Sequence, residues 1–303
     1  MLAIIIPYYK LTFFEATLAS LAAQTCQDFK AYIGDDASPE DPSNLIEKYK
    51  GQFDFVYHRF DENLGGTSLT KQWERCIALS GNEEWLMILG DDDVLGENVV
   101  KEFYDNLPKI SQRGNNVIRY ATQIIDGNGE LISDIYTHPK LEKATDSFWR
   151  KFTGETRSSL SEYIFSRLSY EKFGFKNYPL AWHSDDMAWL EFSNFKNIYS
   201  INSAKFCIRF SDRSISGKKD NNVFKYMASI QFLRDLCKLE LFIREKHLEL
   251  MYSYEVEIKK SRKLSFSEWF FLGKMYLKNL EIIVFGKFIR RLVVALFSKV
   301  ILL

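Results

Sequence analysis

Three adjacent carboxylates, Asp91, Asp92 and Asp93, directly follow the apolar run at residues 85–89. An apolar run without a polar break is typical of a central strand that is covered on both faces. Ligands of open α/β sheets bind at the carboxyl ends of the strands, so the three acids would lie where a ligand binds. Because adjacent carboxylates repel one another, the triplet indicates a divalent cation such as Mg²⁺ or Mn²⁺, which prefers oxygen ligands. The alternative is a solvated acidic turn that caps the next helix.

Two further carboxylate pairs stand at the ends of predicted elements. Asp35 and Asp36 follow the apolar run at residues 29–33, and Asp185 and Asp186 stand at the start of a helical pattern. Either pair would also serve as a helix cap, because acids are favoured in the first turn of a helix. The chain thus places concentrated negative charge at two strand ends and at one helix start.

Strands and helices alternate regularly in the first part of the chain. Apolar runs predict strands at residues 2–6, 29–33, 53–58 and 85–89, and helical periodicity with capping signals predicts helices at 12–24, 42–49 and 68–79. This order requires right-handed crossovers and predicts an α/β fold with a doubly wound, mostly parallel sheet and helices on both faces. A helix at 97–107 follows, and then a hairpin of two strands at 117–125 and 131–135.

The charge of the chain is distributed unevenly. The formal net charge of the 303 residues is zero, but residues 1–216 carry 23 basic and 31 acidic side chains, whereas residues 217–303 carry 17 and 9. The two parts therefore have net charges of −8 and +8. This asymmetry predicts a domain at 1–216 and a basic helical region at 217–303, and it argues against a general nucleic-acid-binding protein.

The basic C-terminal region has an amphipathic pattern. On a helical wheel Lys287, Arg290 and Arg291 fall within an arc of about 100°. The apolar side chains opposite them are Phe285, Ile289, Leu292, Leu296 and Val300. Five charges between residues 280 and 303 argue against a membrane-spanning helix, so we expect the region to bind an anionic membrane surface. The alternative is a helix that packs on the catalytic domain or on the partner in a homodimer.

The cysteines and the N-terminus predict the cellular compartment. Cys26, Cys76, Cys207 and Cys237 have no metal-type spacing, which is typical of reduced thiols in a cytosolic protein. Residues 1–7 lack a charged leader and predict a first strand, not a signal peptide. Together with the basic helices, these features predict a cytoplasmic protein bound peripherally to the inner face of the cell membrane.

Six short segments resemble, in order, those of an inverting family 2 glycosyltransferase with the A-type nucleotide-sugar-binding fold. They are residues 4–9 (IIIPYY), 24–25 (QT), 34–38 (GDDAS), 63–66 (NLGG), 89–93 (LGDDD) and 184–186 (SDD). The resemblance covers roughly the first 215 residues. It implies transfer of a hexosyl or N-acetylhexosaminyl group from a nucleotide diphosphate donor, expected to be a UDP-sugar. The acceptor would be a hydroxyl of a glycan or a lipid-linked glycan, attacked with inversion and with the help of Mn²⁺ or Mg²⁺.

The same resemblance implies roles for residues on the donor side. Pro7 and Tyr8 would meet the nucleotide base, and Asp36, with Asp35, would accept the uracil N–H, since a carboxylate accepts hydrogen bonds only. Lys71 and, in a mobile segment that closes over the donor phosphates, Arg209 or Arg213 would contact the diphosphate. Each of these three cations has a surface charge as its alternative.

The acidic triplet matches the family's metal motif with one departure. Asp92 would hold the metal, Asp91 would support the ribose or the metal, and Asp93 has no assigned role. The family's usual first aspartate is Gly90 in this chain. One expected ligand is therefore missing, and tight metal binding without the nucleotide is not expected.

The resemblance also implies the acceptor side. Asp186 would be the catalytic base that takes the proton of the attacking hydroxyl, with Asp185 as the second candidate. Trp182 would offer an aromatic platform to a sugar ring, and His183 would shape the acceptor site or be a buried, satisfied histidine.

Three other classes of protein were weighed against this interpretation. A non-catalytic nucleotide-sugar-binding or scaffold protein of the same fold would account for Gly90. A nucleotidyltransferase usually needs a glycine-rich basic loop after its first strand, and residues 8–11 (YYKL) are not such a loop. A dinucleotide-binding dehydrogenase would show a G-x-G-x-x-G motif after a strand, and none is present.

Overall fold

A computed structural model of the protein describes residues 1–212, 214–217, 221–261, 266–278 and 282–300, with side chains in the last range described to residue 294. The chain divides into two compact units, Met1–Lys219 and Asp220–Leu303. The division falls near the change of charge at residue 216. That the two units act as separate domains stays a prediction.

The first unit consists of nine strands and seven helices. The strands are β1 (Leu2–Tyr8), β2 (Phe29–Asp35), β3 (Phe55–Arg59), β4 (Trp85–Ile88), β5 (Val94–Leu95), β6 (Val117–Ile125), β7 (Leu141–Lys143), β8 (Tyr163–Ser166) and β9 (Asn197–Arg209). The helices are α1 (Phe14–Ala22), α2 (Ser43–Tyr49), α3 (Leu69–Ile77), α4 (Val99–Arg113), α5 (Ala144–Phe152), α6 (Arg167–Phe173) and α7 (Ser184–Phe192).

The strands form one mixed sheet in the order β3-β2-β1-β4-β8-β6-β9-β5, with β7 also paired to β9. The pairs among β1, β2, β3 and β4 are all parallel, as the alternating strands and helices predicted. Strand β8 enters antiparallel between β4 and β6, and β6 and β9 are parallel. The expected α/β class with helices around a mostly parallel sheet is therefore confirmed.

The buried strands explain why the apolar runs have no polar break. Residues 2–6 of β1 and 86–88 of β4 are fully buried, since helices cover both faces of the parallel half of the sheet. The parallel register places Tyr8 opposite Asp35, and Leu89 donates from its backbone N–H to the carbonyl oxygen of Ile5 at 2.8 Å. The carboxyl ends of β1, β2 and β4 thus lie at one edge of the sheet. The pair Asp35 and Asp36 and the triplet at residues 91–93 lie at the same edge.

Two predicted elements differ in the structure. The return of the hairpin after Ile125 forms only isolated bridges, Ile125 to Leu131 and Thr122 to Tyr136, because no second layer covers the exposed side chains of this segment. Helix α4 continues past Pro108, where the sequence predicted its end, and stops at Gly114, whose φ of 64° provides the left-handed cap. Residues 136–165, for which the sequence predicted no element, contain β7, α5 and the start of β8.

The second unit is helical, as predicted. It comprises α8 (Asn222–Lys238), α9 (Arg244–Lys260), α10 (Phe266–Lys278) and α11 (Ile282–Val300). Helices α8 and α9 are separated by a turn after Lys238 that contains Glu240, whose φ is 50°. No helix within the described ranges combines the length and apolar character needed to cross a membrane.

Helix α11 packs inside this unit. Phe288 is buried, and its ring lies 5.7 Å from Trp269 and 5.0 Å from Tyr276, between ring centroids. Arg291 donates to both carboxylate oxygens of Glu255 on α9. The side chain of Arg291 is 28% exposed, so it pairs with the buried Glu255 and still reaches the surface of the unit. Ile289 of the predicted apolar face is exposed, so this face is only partly buried. The side chains of Leu296 and Val300 lie outside the described part.

Candidate active site

Asp35 is fully committed to the protein's own donors. Its carboxylate accepts hydrogen bonds from the backbone N–H of Ser38 at 2.8 Å, from the hydroxyl of Tyr57 at 2.6 Å and from the guanidinium of Arg59 at 2.6 Å. The side chain is fully buried. Asp35 therefore fixes the turn after β2 and the end of β3. The sequence analysis missed Arg59, although the parallel register of β2 and β3 places it opposite Asp35.

Asp36 organises the loop at residues 63–66. Its two oxygens accept from the backbone N–H groups of Leu64 at 2.8 Å and Gly65 at 2.9 Å, and Arg75 of α3 forms an ion pair with it. The guanidinium of Arg75 also stacks on Phe60, 3.9 Å from the ring centroid. A carboxylate has about four acceptor positions. Three are filled by these donors, so one acceptor position is left on this buried carboxylate.

The end of β1 presents Pro7 but not the side chain of Tyr8. Tyr8 is fully buried, its ring packs on Phe14 at 4.5 Å, and its hydroxyl donates to the carbonyl of Glu40. Burial accordingly raises the pKa of Tyr8 to about 12. Pro7 is half-buried and Tyr9 is exposed. The predicted contact between Tyr8 and the base is thus limited to its backbone, because the phenol belongs to the core.

The three acids after β4 have different surroundings. Asp91 accepts the backbone N–H groups of Tyr9 and Lys10 on one oxygen, both at 2.8 Å, and so holds the loop after β1. Asp93 is buried and accepts from the backbone N–H of Arg209 at 2.9 Å and from the hydroxyl of Ser161 at 2.5 Å. Asp91 and Asp93 therefore join neighbouring segments of the chain to the end of β4.

Asp92 is the acid that the fold leaves available. No donor within the described residues bonds its half-buried carboxylate. Burial, followed by the charges of Asp93 and Asp91, raises the pKa of Asp92 to about 8, against the opposing charges of Lys10 and Arg209. Lys10 is thus a cation of this site that the sequence analysis missed, three residues beyond Pro7.

The surroundings of Asp92 fit a cation only in part. A divalent ion would stabilise the ionised form of a carboxylate that neighbouring acids destabilise. However, nowhere in the described part of the chain do three His, Cys, Asp or Glu side chains stand together as a metal site. The protein would therefore supply the carboxylate of Asp92 as one ligand of the metal ion, and the second oxygen of Asp91 could add to it. The phosphates of the donor would supply the further ligands.

Gly90 gives the acids the room they need. A Cβ at this position would lie 3.0 Å from Oδ1 of Asp92 and 3.1 Å from Oδ2 of Asp93. These distances are shorter than ordinary van der Waals contacts, so a side chain at position 90 would push the carboxylates aside. The departure from the family motif is therefore built into the packing of the strand end.

The predicted phosphate-binding cations lie in contrasting places. Arg209 is buried. Its Nε donates to the carbonyl of Asp92 at 3.0 Å, its Nη1 donates to the carbonyl of Asp126 at 2.7 Å, and its guanidinium stacks on Phe13. It anchors β9 to the acidic strand end in this conformation. Lys71 is exposed in the first turn of α3, and Arg213 lies outside the described residues.

Asp186 on α7 is held by two cationic or hydrogen-bonding side chains. Its Oδ2 is 2.8 Å from Nδ1 of His183, and its Oδ1 forms an ion pair with the ammonium of Lys151 on α5. Burial alone would raise the pKa of Asp186, but Lys151 and His183 hold it well below its ordinary value. Burial and the neighbouring Asp186 raise the pKa of Asp185 to about 6. Lys151, 35 residues away in sequence, was not predicted.

Packing links α7 to the acidic strand end. Ser161, which donates to Asp93, lies two residues before Tyr163, whose ring stacks on Trp189 of α7 with centroids 4.1 Å apart. Trp189 follows Asp186 by three residues. Trp182 and His183 precede it in the loop that enters α7, with their ring centroids 5.7 Å apart and edge to face. Both rings are half-buried, so part of each faces solvent.

Comparisons with known proteins agree with the fold. A family model described as glycosyl transferase family 2 matches residues 3–169. No curated protein matches the sequence. The crystal structure of S. aureus TarS 1–349 in complex with UDP-GlcNAc superposes with a TM-score of 0.64 at 15% identity, covering 90% of this chain and 80% of that chain. The crystal structure of S. aureus TarS gives 0.60 at 14% identity, covering 89% of this chain and 45% of that one.

Proposed function

The chain belongs to glycosyl transferase family 2 and is a glycosyltransferase that uses a nucleotide sugar, and on this premise we propose that its donor is a UDP-sugar. The sugar is transferred to a hydroxyl of a glycan or lipid-linked glycan, with inversion and with the help of a divalent metal. The observation that carries this proposal is the unpartnered carboxylate of Asp92 at the shared edge of β1, β2 and β4. The choice of UDP is supported by TarS, which was crystallised with UDP-GlcNAc and with UDP.

On the donor side, the contacts of Asp36 and Asp91 support the roles that we propose. Pro7 would pack on the base, and the remaining acceptor position of Asp36 would take the N–H of uracil. Asp91 keeps the loop after β1 in place and offers its second oxygen to the ribose. A bound Mn²⁺ or Mg²⁺ would neutralise the charge that grows on the diphosphate as the nucleotide leaves, and Asp92 would hold it.

On the acceptor side, Asp186 provides the negative charge that the attacking hydroxyl needs. Inversion requires a single in-line attack, so the hydroxyl must lose its proton on the face opposite to the leaving nucleotide. Asp186 remains ionised at neutral pH because Lys151 and His183 stabilise its charge. Asp185, in the same first turn, is the second acid of the proposed acceptor side.

A screen of donors by thermal unfolding tests the proposal. The protein would be heated with UDP-GlcNAc, UDP-glucose, UDP-galactose, GDP-mannose or ADP-glucose, each with Mn²⁺, with Mg²⁺ or with EDTA. At a donor concentration of about 100 Kd the stabilisation is about 2.7 kcal/mol, which corresponds to a rise of several degrees. We expect this rise with a UDP-sugar and a metal and a smaller one with EDTA. Stabilisation by a GDP- or ADP-sugar alone would contradict the assignment of UDP.

We also propose that the C-terminal unit binds an anionic membrane surface. Helices α10 and α11 expose an apolar–basic face, in which large apolar side chains alternate with cations. Its apolar members are Phe266, Phe270, Leu277, Ile282, Ile283, Ile289, Val293 and Val294, and its basic members are Lys274, Lys287 and Arg290. Lys278 is also exposed but forms an ion pair with Glu240. The described part of these two helices contains one acid, Glu268, and that acid is paired with Arg234. Such a mixture of apolar and basic side chains suits the boundary between headgroups and acyl chains.

The double substitution Lys287→Glu and Arg290→Glu is expected to weaken binding to vesicles that contain phosphatidylglycerol by at least about 30-fold at low salt, since each basic residue contributes about 1 kcal/mol. Co-sedimentation measures this effect. The matched control, Lys48→Glu with Lys101→Glu, makes the same change of charge at exposed positions of the first unit. Unchanged binding, with a dimer detected by light scattering, would assign the face to a second copy of the chain.

A further inference from the structure

The α6–α7 loop, residues 174–183, leads directly into the helix whose first turn carries the carboxylates at residues 185 and 186. Its position therefore decides where these two carboxylates stand. The backbone of the loop is strained, because Leu180, Ala181 and His183 have φ values of 58°, 51° and 68°. Residues with a side chain rarely adopt this left-handed region, and they keep it only where surrounding contacts impose it.

Asn177 ties the α6–α7 loop to the start of α3. Its side-chain oxygen Oδ1 accepts from the hydroxyl of Ser68 at 2.9 Å and from the hydroxyl of Thr70 at 2.8 Å. Ser68 is also the N-cap of α3, since its Oγ accepts the backbone N–H of Lys71 at 3.4 Å. One amide oxygen thus joins the loop before α7 to a helix start that lies 107 residues earlier in the chain.

Phe175 makes a second contact between the same elements. It is buried, and its ring lies 5.3 Å from Trp73 of α3 and 5.2 Å from Phe192 of α7, between ring centroids. Its backbone N–H also donates to the carboxylate of Glu74. Burial of an apolar ring has no preferred direction and keeps the loop on α3, whereas the directional bonds of Asn177 determine where along the helix the loop lies.

The start of α3 is also connected to the loop at residues 63–66, on the donor side of the proposed site. The backbone N–H groups of Thr67 and Ser68 donate to the carbonyl of Leu64, at 3.0 and 2.8 Å. The backbone N–H of Leu64 in turn donates to Asp36, the acid proposed to accept the uracil N–H. A continuous series of hydrogen bonds therefore leads from Asp36 to Asn177.

We propose that Asn177 is a positioning residue that couples binding of the donor to the placement of the carboxylates at residues 185 and 186. The inference rests on the proposed function. A UDP-sugar that engages Asp36 orders the loop at 63–66 and the start of α3, and Asn177 transmits this order to the α6–α7 loop. The bound donor then holds Asp186 where the acceptor hydroxyl attacks. Asn177 touches neither reactant, so its loss should lower the rate and leave the affinity for UDP almost unchanged.

Two substitutions at position 177 separate this role from general packing. Asn177→Ala removes the accepting oxygen, whereas Asn177→Asp keeps it, because a carboxylate accepts from both hydroxyls. With water as the acceptor, Asn177→Ala is expected to lower the kcat of UDP release from UDP-GlcNAc by about 10- to 10²-fold, since misplacing a catalytic group by about 1 Å has an effect of this size. Asn177→Asp should stay within about threefold of the natural kcat, and the Kd for UDP, measured by calorimetric titration, should stay within about threefold for both.

Two other positions give the comparison variants. Asn44→Ala, at an exposed position of α2, is the matched control and should leave kcat and Kd unchanged. Thr70→Val keeps the shape of its side chain but loses one of the two donors to Asn177, so it should lower kcat by less than Asn177→Ala does.

Hydrogen exchange gives a readout that a merely structural role would not move. UDP with Mn²⁺ should slow the exchange of the backbone N–H groups of residues 174–187 in the natural protein and in Asn177→Asp, but not in Asn177→Ala. Equal protection of this segment in Asn177→Ala, or a kcat within about twofold of the natural value, would overturn the proposal. If the natural protein binds neither UDP nor a UDP-sugar, the proposed function itself fails, and the calorimetric titration of the natural protein shows this separately.

Discussion

Asp186→Asn is expected to lower the rate of sugar transfer by about 10³- to 10⁴-fold while leaving the affinity for the UDP-sugar almost unchanged. The amide has the shape of the carboxylate but no charge. It cannot take the proton of the attacking hydroxyl. The donor contacts proposed at the ends of β1, β2 and β4 are not altered. UDP release in the presence of UDP-GlcNAc measures the rate, and calorimetric titration measures donor affinity.

Asp134→Asn provides the control for this variant, because Asp134 is an exposed carboxylate in the loop after β6. Its rate should equal that of the natural protein. Normal turnover in Asp186→Asn would remove Asp186 from the reaction altogether. A loss of donor affinity equal to the loss of rate would instead indicate that the substitution disturbs the whole sheet edge.

Asp92→Asn is expected to abolish the stimulation of UDP release by Mn²⁺ and to lower the rate at least about 10²-fold, since a neutral amide is a poor ligand for a hard cation. Asp92 is the one acid of the triplet whose carboxylate no described donor occupies. The measurement is the rate as a function of Mn²⁺ concentration for both proteins. Equal activation of both would show that Asp92 does not hold the metal.

The same variant should be more stable than the natural protein when no metal is present. The pKa of Asp92 is raised to about 8 in the folded protein, against about 4 in an unfolded chain, so its ionised form destabilises the fold. The penalty is absent below about pH 4, grows as the pH rises to 8 and is then constant. Urea denaturation at pH 4 and pH 8 should show this growing advantage of Asp92→Asn. Asp35→Asn should be less stable than the natural protein at both pH values, because it disturbs a buried carboxylate that accepts from Ser38, Tyr57 and Arg59.

The parallel half of the sheet was predictable from local patterns. Residues 2–6 and 85–89 are apolar without a break because helices cover both faces of β1 and β4, and burial of this kind is visible in the sequence. The hairpin return after Ile125 was not predictable in the same way. Its turn residues are those of a hairpin, but whether a strand forms depends on a covering layer that comes from elsewhere in the chain.

The acids of the site were identified from sequence, but their roles were not separable. Asp91, Asp92 and Asp93 differ only through partners that lie far along the chain, such as the backbone of Tyr9 and the hydroxyl of Ser161. Lys151 and Arg75 were missed for the same reason. Each meets its acid through packing of a helix, which no motif records.

Gly90 has a consequence for how this strand end can change over generations. A side chain at position 90 would first meet Oδ1 of Asp92 and Oδ2 of Asp93. The oxygen of Asp93 is held by Ser161, so a side chain at position 90 would crowd a carboxylate that already has a hydrogen-bond partner. Substitutions at positions 90, 93 and 161 are therefore not independent, and their effects on stability should depend on the order in which they arise.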